Sequence, residues 1–493
     1  MDVGGKVVTA LRWSAATRFV SSILSWVMTI FVIRLLSPAD YGVLAMAVIL
    51  PSALYLLNDL GLDVVLVQQQ GSDALLRRQV FGVVIVANIL CAGSVIVGAP
   101  LIADFFHEAN VVPIMCVLSL QFLLFIFDTL PRAKLEQRLD FRSQSLIGVI
   151  ANCLGSLSTL ILAAAGFGVW SLVWGRLVST ATTTIGLNVV APSLCYPIFS
   201  LTVVKRSLSF GAIVTLERSA WQFLNDADKV IGGRLWNDAT LGLYTVAQDL
   251  ATMPMHRTGG LIISIGLPAI SGVQDRLDEV RFYLLKATRI ISVLSFPIFI
   301  GLALTASEAV VLLLGPKWPG AAPILQILAL IMPLRMVAAL LSPVLWGIGR
   351  PGISATNVLI AAIVIPCACV IGSQWGPMGM AAAWLSAYPI IFVVVVHRSG
   401  KAVGLTVRDF CRAMRGPALA SLVMAGAVVG IRWLLPLSAG PLTNLLTIVP
   451  VGALVYPAVL LIFDRPSARE TLSLISRRRP DPLEAPAPPA TGR

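Results

Sequence analysis

Ionisable and polar side chains recur inside long apolar stretches of this sequence, at spacings that align them on helix faces. The first stretch carries a row at steps of 4, 4, 3 and 4, namely Ser14, Arg18, Ser22, Ser25 and Thr29. Two later stretches carry Glu217, Arg218, Gln222, Asn225, Asp228 and Lys229, and then Gln248, Asp249, Thr252, His256 and Arg257. An ionisable group at the centre of a membrane helix costs about 2.5–3.5 kcal/mol, so it usually faces a bundle interior or a water-filled cavity.

Arginines within these stretches indicate an anionic ligand. The five are Arg18, Arg176, Arg218, Arg257 and Arg335. A guanidinium suits planar, multidentate contact with phosphate oxygens, so a cavity lined by these residues would attract a ligand that carries phosphate or several carboxylates. The alternative is that the charges form buried ion pairs that only hold helices together. Asp249 and Arg257, eight residues apart and roughly on one face, could form such a pair.

The elements that carry these residues are predicted to be transmembrane helices. Of the 493 residues, 57% are hydrophobic and 12% are charged, against about 25% charged in a typical soluble domain. Apolar stretches long enough to cross a bilayer predict fourteen spans in an all-α polytopic protein. They are 13–36, 41–66, 79–103, 111–130, 144–165, 169–191, 208–234, 240–268, 289–314, 321–347, 353–373, 377–397, 414–435 and 442–463. The seven scattered cysteines are interpreted as small buried hydrophobes, and the three histidines form no metal motif.

Lysine and arginine alternate strongly between the two sets of loops. The even-numbered connections are basic, with Arg77 and Arg78 in the first and Arg398 and Lys401 in the last, while the odd-numbered ones are nearly bare. The positive-inside rule therefore places both termini and the even loops in the cytoplasm. It also accounts for the net charge of +12 without nucleic acid as a partner.

An internal repeat links the two halves of the chain. Arg34–Gly42 (RLLSPADYG) after the first span is echoed 200 residues later by Arg234–Gly242 (RLWNDATLG). Weaker echoes join Pro113-Ile114 to Pro323-Ile324 and the Gly166/Gly168 turn to the Gly376/Gly379 turn. Because six spans is an even number, the repeats share one orientation, which predicts two six-helix lobes around a central cavity. The predicted domains are 1–206, 207–400, an appended pair of spans over 401–464 and a disordered cytoplasmic tail over 465–493.

The order and spacing of several motifs resemble one family. They are Arg34–Gly42, Gly61-Leu62 with Val67-Gln68, Asn225–Asp228 with Gly232–Arg234, Leu241–Tyr244 with Ala247, and Gly166–Trp170. Together they resemble the Wzx-type polysaccharide transporters of the oligosaccharide flippase family, in the multidrug/oligosaccharidyl-lipid/polysaccharide exporter superfamily. The resemblance extends over spans 1 to 12.

The resemblance implies a function and a set of partners. Such proteins move a polyprenyl-pyrophosphate-linked oligosaccharide across the bacterial inner membrane by alternating access, without a cofactor. A separate polymerase, with a chain-length regulator, then builds exopolysaccharide, capsule or O-antigen. The family's cationic cavity agrees with the five arginines. Its frequent coupling to an ion gradient makes Asp59, Asp226, Asp228 and Asp249 the candidate coupling groups, although nearby basic residues could equally neutralise them.

Three alternatives stay open. A flippase for the peptidoglycan precursor also has fourteen spans and a cationic cavity. A multidrug–cation antiporter of the same superfamily usually has twelve spans and an acidic cavity. A membrane enzyme usually needs a sizeable external loop, whereas the longest one here has about ten residues, and the sequence shows no P-loop, nucleophile elbow or zinc-protease motif.

Overall fold

The computed structural model describes residues 25–58, 74–138, 140–199, 202–271, 276–434 and 440–465, with side chains for all of these except 56–58, 202–216 and 256–271. Regular structure in these ranges is helical throughout, which confirms the all-α prediction. The first eight helices are α1 Ser25–Leu35, α2 Pro38–Asn58, α3 Ala74–Phe106, α4 Val111–Leu118, α5 Leu120–Phe125, α6 Thr129–Gln137, α7 Phe141–Ala164 and α8 Val169–Val190.

The second half of the chain continues in the same way. Its helices are α9 Thr202–Leu235, α10 Asp238–Ser271, α11 Leu277–Leu314, α12 Ala321–Ala338, α13 Leu341–Gly347, α14 Pro351–Gly372, α15 Gly376–Val403, α16 Val407–Leu434 and α17 Pro441–Phe463. A single 3₁₀ turn, Ser373–Trp375, joins α14 to α15. Within the described residues, the fourteen predicted spans fall on one helix or on consecutive helical segments, which is roughly consistent with the predicted number; 13–24 of the first span and 59–66 of the second lie outside the described residues.

Apolarity varies widely among these helices. In the described residues, eight stretches are long and apolar enough to cross a membrane by composition, or nine if the segments α4–α6, bent by 43°, form one span. Helix α8 is not among the eight, and neither are the parts of α9 and α10 with described side chains, which begin at Glu217 and end at Met255 respectively. They carry Arg176 and the polar rows that the sequence analysis singled out. Helices that expose polar faces need other helices or water beside them rather than lipid.

The chain divides into two compact units, each with its own apolar cluster. The first comprises Met1–Leu250, Ala309–Leu328 and Pro351–Ile391, and the second comprises Ala251–Glu308, Ala329–Arg350 and Phe392–Arg493. In the first unit a large cluster joins α2, α3, α4 and α8. In the second, Val293 of α11 packs against α16 and α17, and Tyr456 of α17 donates a hydrogen bond to its carbonyl at 2.8 Å. The domain limits inferred from the repeat stay a prediction.

Short polar side chains begin several helices by capping free backbone N–H groups. Ser37 accepts from the N–H of Asp40 at 3.3 Å at the start of α2, and Asn237 accepts from the N–H of Thr240 at 2.8 Å at the start of α10. These two caps are equivalent positions of the sequence repeat. At α16, hydrogen bonds from the backbone N–H and hydroxyl of Thr406 hold the pKa of Asp409 below its ordinary value.

The cysteines follow the prediction only in part. None of the seven is in a disulfide, and Cys91 and Cys369 are buried. Cys367 and Cys411, however, are exposed on the helix surface. The interpretation of all seven as buried was therefore wrong, because apolar residues of a membrane helix can face lipid as well as protein.

Candidate functional site

Arg176 is an exposed guanidinium in the middle of a helix. It lies about two turns into α8 and points into accessible space in the first unit. No carboxylate among the described side chains forms an ion pair with it. Its electrostatic neighbour is the hydroxyl of Tyr55 on α2. A permanently charged group held within a membrane bundle without a described counter-anion is suited to bind an anion that comes from outside the chain.

Tyr55 interacts electrostatically with two arginines, Arg176 and Arg132. Its ring contacts Phe125 of α5, with centroids 5.1 Å apart, and its hydroxyl also interacts electrostatically with Arg132 on α6. Arg132 is already neutralised, because its guanidinium is 2.6 Å from the carboxylate of Asp128. The group therefore offers one uncompensated cation and one phenol, an arrangement that fits a phosphate. Tyr55 was not predicted, because the sequence analysis of its span singled out a carboxylate, Asp59, and not the phenol one turn before it.

The structure separates the other predicted arginines. Arg218 is exposed on α9, in the first unit. Arg335 is 6% exposed within α12, in the second unit. Arg18 lies outside the described residues, and Arg257 belongs to α10 but its side chain lies outside them. Of the five arginines, Arg176 is the one whose described surroundings leave its charge uncompensated.

Lys229 interacts with two of the predicted coupling carboxylates, Asp226 and Asp249. Its ammonium is 3.5 Å from Oδ1 of Asp226, and it also interacts electrostatically with Asp249 of α10. Gln222 donates to Oδ2 of Asp226 at 2.6 Å. The neutralisation that the sequence analysis left open therefore applies to Asp226. Asp59 lies outside the described residues.

Asp228 is a buried hydrogen-bond acceptor, 1% exposed. Its Oδ2 accepts from Tyr244 Oη at 2.9 Å, Gln248 Nε2 at 2.7 Å and Trp384 Nε1 at 3.1 Å. Its Oδ1 accepts from the backbone N–H of Lys229 at 2.8 Å. Trp384 was not predicted, because it stands in an apolar span, on α15, 156 residues from Asp228. The described residues contain no cluster of three His, Cys, Asp or Glu side chains suited to a metal ion.

Comparison with known proteins decides the family. A family model described as "Polysaccharide biosynthesis protein" matches residues 31–323, more than half of the chain. The chain belongs to this polysaccharide biosynthesis family. The match includes both copies of the repeated turn, α8 with Arg176 and the Asp226–Asp228 region. The resemblance inferred from the sequence motifs is thereby confirmed.

Curated relatives of this polysaccharide biosynthesis protein carry consistent names. It is 25% identical over 490 residues to the succinoglycan biosynthesis transport protein ExoT of Rhizobium meliloti, with 97% of each chain covered. It is 24% identical over 392 residues to the lipopolysaccharide biosynthesis protein WzxC of Escherichia coli, with 78% of this chain and 79% of that protein covered. The teichuronic acid biosynthesis protein TuaB of Bacillus subtilis is 23% identical over 281 residues.

Two solved structures of transporters share the fold of this chain. The lipid II flippase MurJ, in an inward closed conformation, has a TM-score of 0.73 over 92% of this chain and 99% of its own, with 14% sequence identity. An inward-facing transporter of the multidrug MATE family has a TM-score of 0.57 over 79% of this chain, with 16% identity. The chain therefore shares its fold with MurJ and with this MATE-family transporter.

Proposed function

We propose that this protein is a flippase that moves a polyprenyl-pyrophosphate-linked oligosaccharide repeat unit across the bacterial inner membrane by alternating access, for the synthesis of an exopolysaccharide, capsule or O-antigen. The observation that carries the proposal is the exposed guanidinium of Arg176, held in mid-helix beside Tyr55 in a member of the polysaccharide biosynthesis family. ExoT, a relative covered over 97% of its length, is named as a transport protein for succinoglycan biosynthesis.

The proposed cargo has a polar part, the sugars and pyrophosphate, and an apolar part, the lipid tail, and each part needs a different environment. Sugars and pyrophosphate cannot cross hydrocarbon unaided, because polar and charged groups lose their hydration there. The polar faces of α8, α9 and α10 supply a hydrated surface, and Arg176 supplies a counter-charge for the pyrophosphate. Arg18, Arg218, Arg257 and Arg335 are proposed to add to that charge during the cycle. The lipid tail stays in the bilayer, so no side chain needs to solvate it.

Coupling to an ion gradient is part of the proposal. Asp59, Asp226, Asp228 and Asp249 are the candidate groups, since an intramembrane carboxylate can exchange a proton or a cation. Asp226 and Asp249 share Lys229 as a partner, so loss of charge on either carboxylate would leave the lysine less neutralised. Such a change is suited to altering the preference between two arrangements of α9 and α10.

The proposed setting follows from the loop charges. The protein lies in the inner membrane with both termini in the cytoplasm. Its partners are the lipid-linked oligosaccharide, membrane lipids, and the polymerase and chain-length regulator that act on the delivered unit. It carries out no covalent chemistry and needs no cofactor. A peptidoglycan-precursor flippase is the second candidate, because MurJ, a lipid II flippase, shares the fold at a TM-score of 0.73.

Gene deletion tests the proposed function against its alternatives. We expect deletion to abolish one surface polymer and to strand its lipid-linked repeat unit on the cytoplasmic leaflet, while growth continues. Lethal loss of cell-wall synthesis would instead indicate the peptidoglycan precursor as cargo. Unchanged polymer with accumulation of a cationic dye would indicate a multidrug antiporter.

Complementation of the deletion strain tests the site. We expect Arg176→Ala to reduce polymer output at least about tenfold, because a lost charge-assisted contact to phosphate commonly removes about 1.5–3 kcal/mol of binding. Arg176→Lys should retain part of the output, since it keeps the charge but loses the fork geometry. Arg412→Ala is the matched control and should complement fully, because Arg412 is exposed on α16 and belongs to an even-numbered connection that is predicted to be cytoplasmic. Full output from Arg176→Ala at normal protein level would contradict the site.

A further inference from the structure

The two copies of the repeated turn pack directly against each other. A Cβ atom added to Gly42 would overlap the carbonyl oxygen of Asp238 and stand 2.6 Å from its carbonyl carbon. A Cβ atom added to Gly242 would overlap the carbonyl oxygen of Pro38 and also stand 2.6 Å from its carbonyl carbon. Gly42 and Gly242, like Pro38 and Asp238, are equivalent positions of the repeat. Each glycine therefore allows one turn to approach the backbone of the other, in a pseudo-two-fold arrangement.

The repeated arginines follow the same symmetry. Arg34, in the last turn of α1, donates through Nε to the carbonyl of Leu313 at 2.7 Å and through Nη2 to the carbonyl of Leu312, at the end of α11. Arg234, at the end of α9, contacts Nε2 of His107, which follows α3, and its guanidinium lies 5.6 Å from the ring centroid of Phe105. In both repeats, the arginine at the end of the first span therefore contacts the end of the third span of the other repeat.

Further side chains reinforce the Arg34 side. Lys317 donates to the carbonyl of Leu35 at 3.1 Å, and Trp318 donates to the carbonyl of Ile33 at 3.0 Å. The indole of Trp318, which is fully buried, also meets the ring of Tyr41 edge-on at 5.6 Å. The C-terminal carbonyls of α11 are therefore bound by Arg34 in the last turn of α1, and those of α1 by Lys317 and Trp318 just beyond the end of α11.

Charged side chains near the surface hold much of this contact together, so separating the two turns costs little free energy at those positions. Apart from the buried indole N–H of Trp318, its hydrogen bonds come from arginine and lysine side chains, which water can solvate when they part. Arg34 and Arg234 are both exposed. Its centre is backbone against backbone, with glycine on each side. All of these residues belong to the first compact unit, so they describe one local structure.

We propose that the two repeated turns form a pseudo-symmetric outer gate, closed in this structure by the glycine contacts and held by Arg34 and Arg234. The gate lies at an odd-numbered connection, on the side opposite to the basic loops. The inference rests on the proposed function, because alternating access requires this side to open once in each cycle. Gly42 and Gly242 determine how closely the gate shuts, and the two arginines determine how long it stays shut.

Thiol accessibility tests the gate without any cargo. Met46 is 2% exposed on α2 and lies 3.4 Å from a Cβ placed on Gly233 of the other repeat, so Met46→Cys in a cysteine-free background reports separation of the two turns. We expect Gly42→Ala to raise the rate of labelling by a membrane-impermeant maleimide in intact cells about fivefold or more, since overpacking a tight contact commonly costs that much in an equilibrium. The matched control is Gly93→Ala, because nothing lies within 4 Å of the added methyl group.

A second pair of variants removes the arginine contacts of the gate without adding side-chain volume. Arg34→Gln and Arg234→Gln should each raise the labelling rate, and the double variant should raise it further. If Gly42→Ala does not reach the membrane, the double arginine variant decides the matter. Native labelling rates in a normally inserted double variant would overturn the gate.

The two proposals fail in different ways. If labelling changes as expected but gene deletion leaves the surface polymer intact, the gate stands and the proposed cargo is wrong. If deletion abolishes the polymer but the labelling rate never responds, the flippase proposal stands and the gate is wrong.

Discussion

Single side chains inside the bundle differ in how completely their polar atoms are matched. Asp228 accepts four hydrogen bonds, from the phenol of Tyr244, the amide of Gln248, the indole of Trp384 and the backbone of Lys229. Such a carboxylate joins α9, α10 and α15 and stabilises their packing. A group that exchanges ions with the outside needs access, whereas Asp228 is 1% exposed. These contacts favour a structural contribution over a coupling one.

Two substitutions at Asp228 distinguish these roles. We expect Asp228→Ala to lower the thermal midpoint of the detergent-solubilised protein clearly, because each buried donor left without an acceptor costs about 1–3 kcal/mol. Asp228→Asn keeps one acceptor oxygen and should lower the midpoint less. Asp278→Ala, at a carboxylate that is 93% exposed, is the control and should have little effect.

The same variants report on coupling. Polymer output that follows protein level in both Asp228 variants would support a structural contribution. Loss of output in Asp228→Asn at native stability would contradict it and would return Asp228 to the coupling groups.

At the scale of helices, small residues determine how closely neighbours approach. A Cβ added to Gly155 of α7 would stand 2.7 Å from Cβ of Ser179 and 2.9 Å from the carbonyl oxygen of Gly175, both on α8. A Cβ added to Gly175 would in turn stand 3.0 Å from the carbonyl oxygen of Gly155. The α7–α8 pair is therefore held by backbone proximity, the mode of association that small residues permit in membranes.

Alanine substitutions within α7 test this contact. We expect Gly155→Ala to lower the thermal midpoint, because overpacking a close contact typically costs about 1–3 kcal/mol. Gly148→Ala on the same helix meets nothing within 4 Å, so it should leave the midpoint unchanged or raise it slightly, since alanine has the higher helix propensity. Equal midpoints for the two variants would show that α7 and α8 can separate without loss.

At the scale of the whole molecule, the loop charges predict one orientation for all fourteen spans. Phosphatase fused after Lys317 should be active, because this odd-numbered connection is predicted to lie outside, whereas a fluorescent protein fused after Lys401 should be fluorescent, because this even-numbered one is predicted to lie inside. The outer-gate proposal depends on this assignment. The reverse pattern of activities would place the repeated turns in the cytoplasm.

Sequence reasoning predicted the spans well because hydropathy is a local property. Whether a segment can cross a bilayer depends on the length and apolarity of that segment alone. The spans divided in the structure show the limit of this reasoning. Span 111–130 becomes α4, α5 and the first part of α6, with a 43° bend, and span 321–347 becomes α12 and α13. A break in a membrane helix is tolerated where neighbouring helices surround it, and the apolar composition of the segment does not reveal the break.

By itself, the sequence determined the all-helical class, the approximate number of crossings, the repeat and the family, because these follow from composition, spacing and motifs along one chain. Only the tertiary structure decided which polar groups meet. It joined Asp228 to Trp384, placed Tyr55 beside Arg176 and brought Gly42 onto the backbone of Asp238. The physical reason is that a hydrogen bond or a close backbone approach depends on which helices are neighbours, and hydropathy carries no information about neighbours.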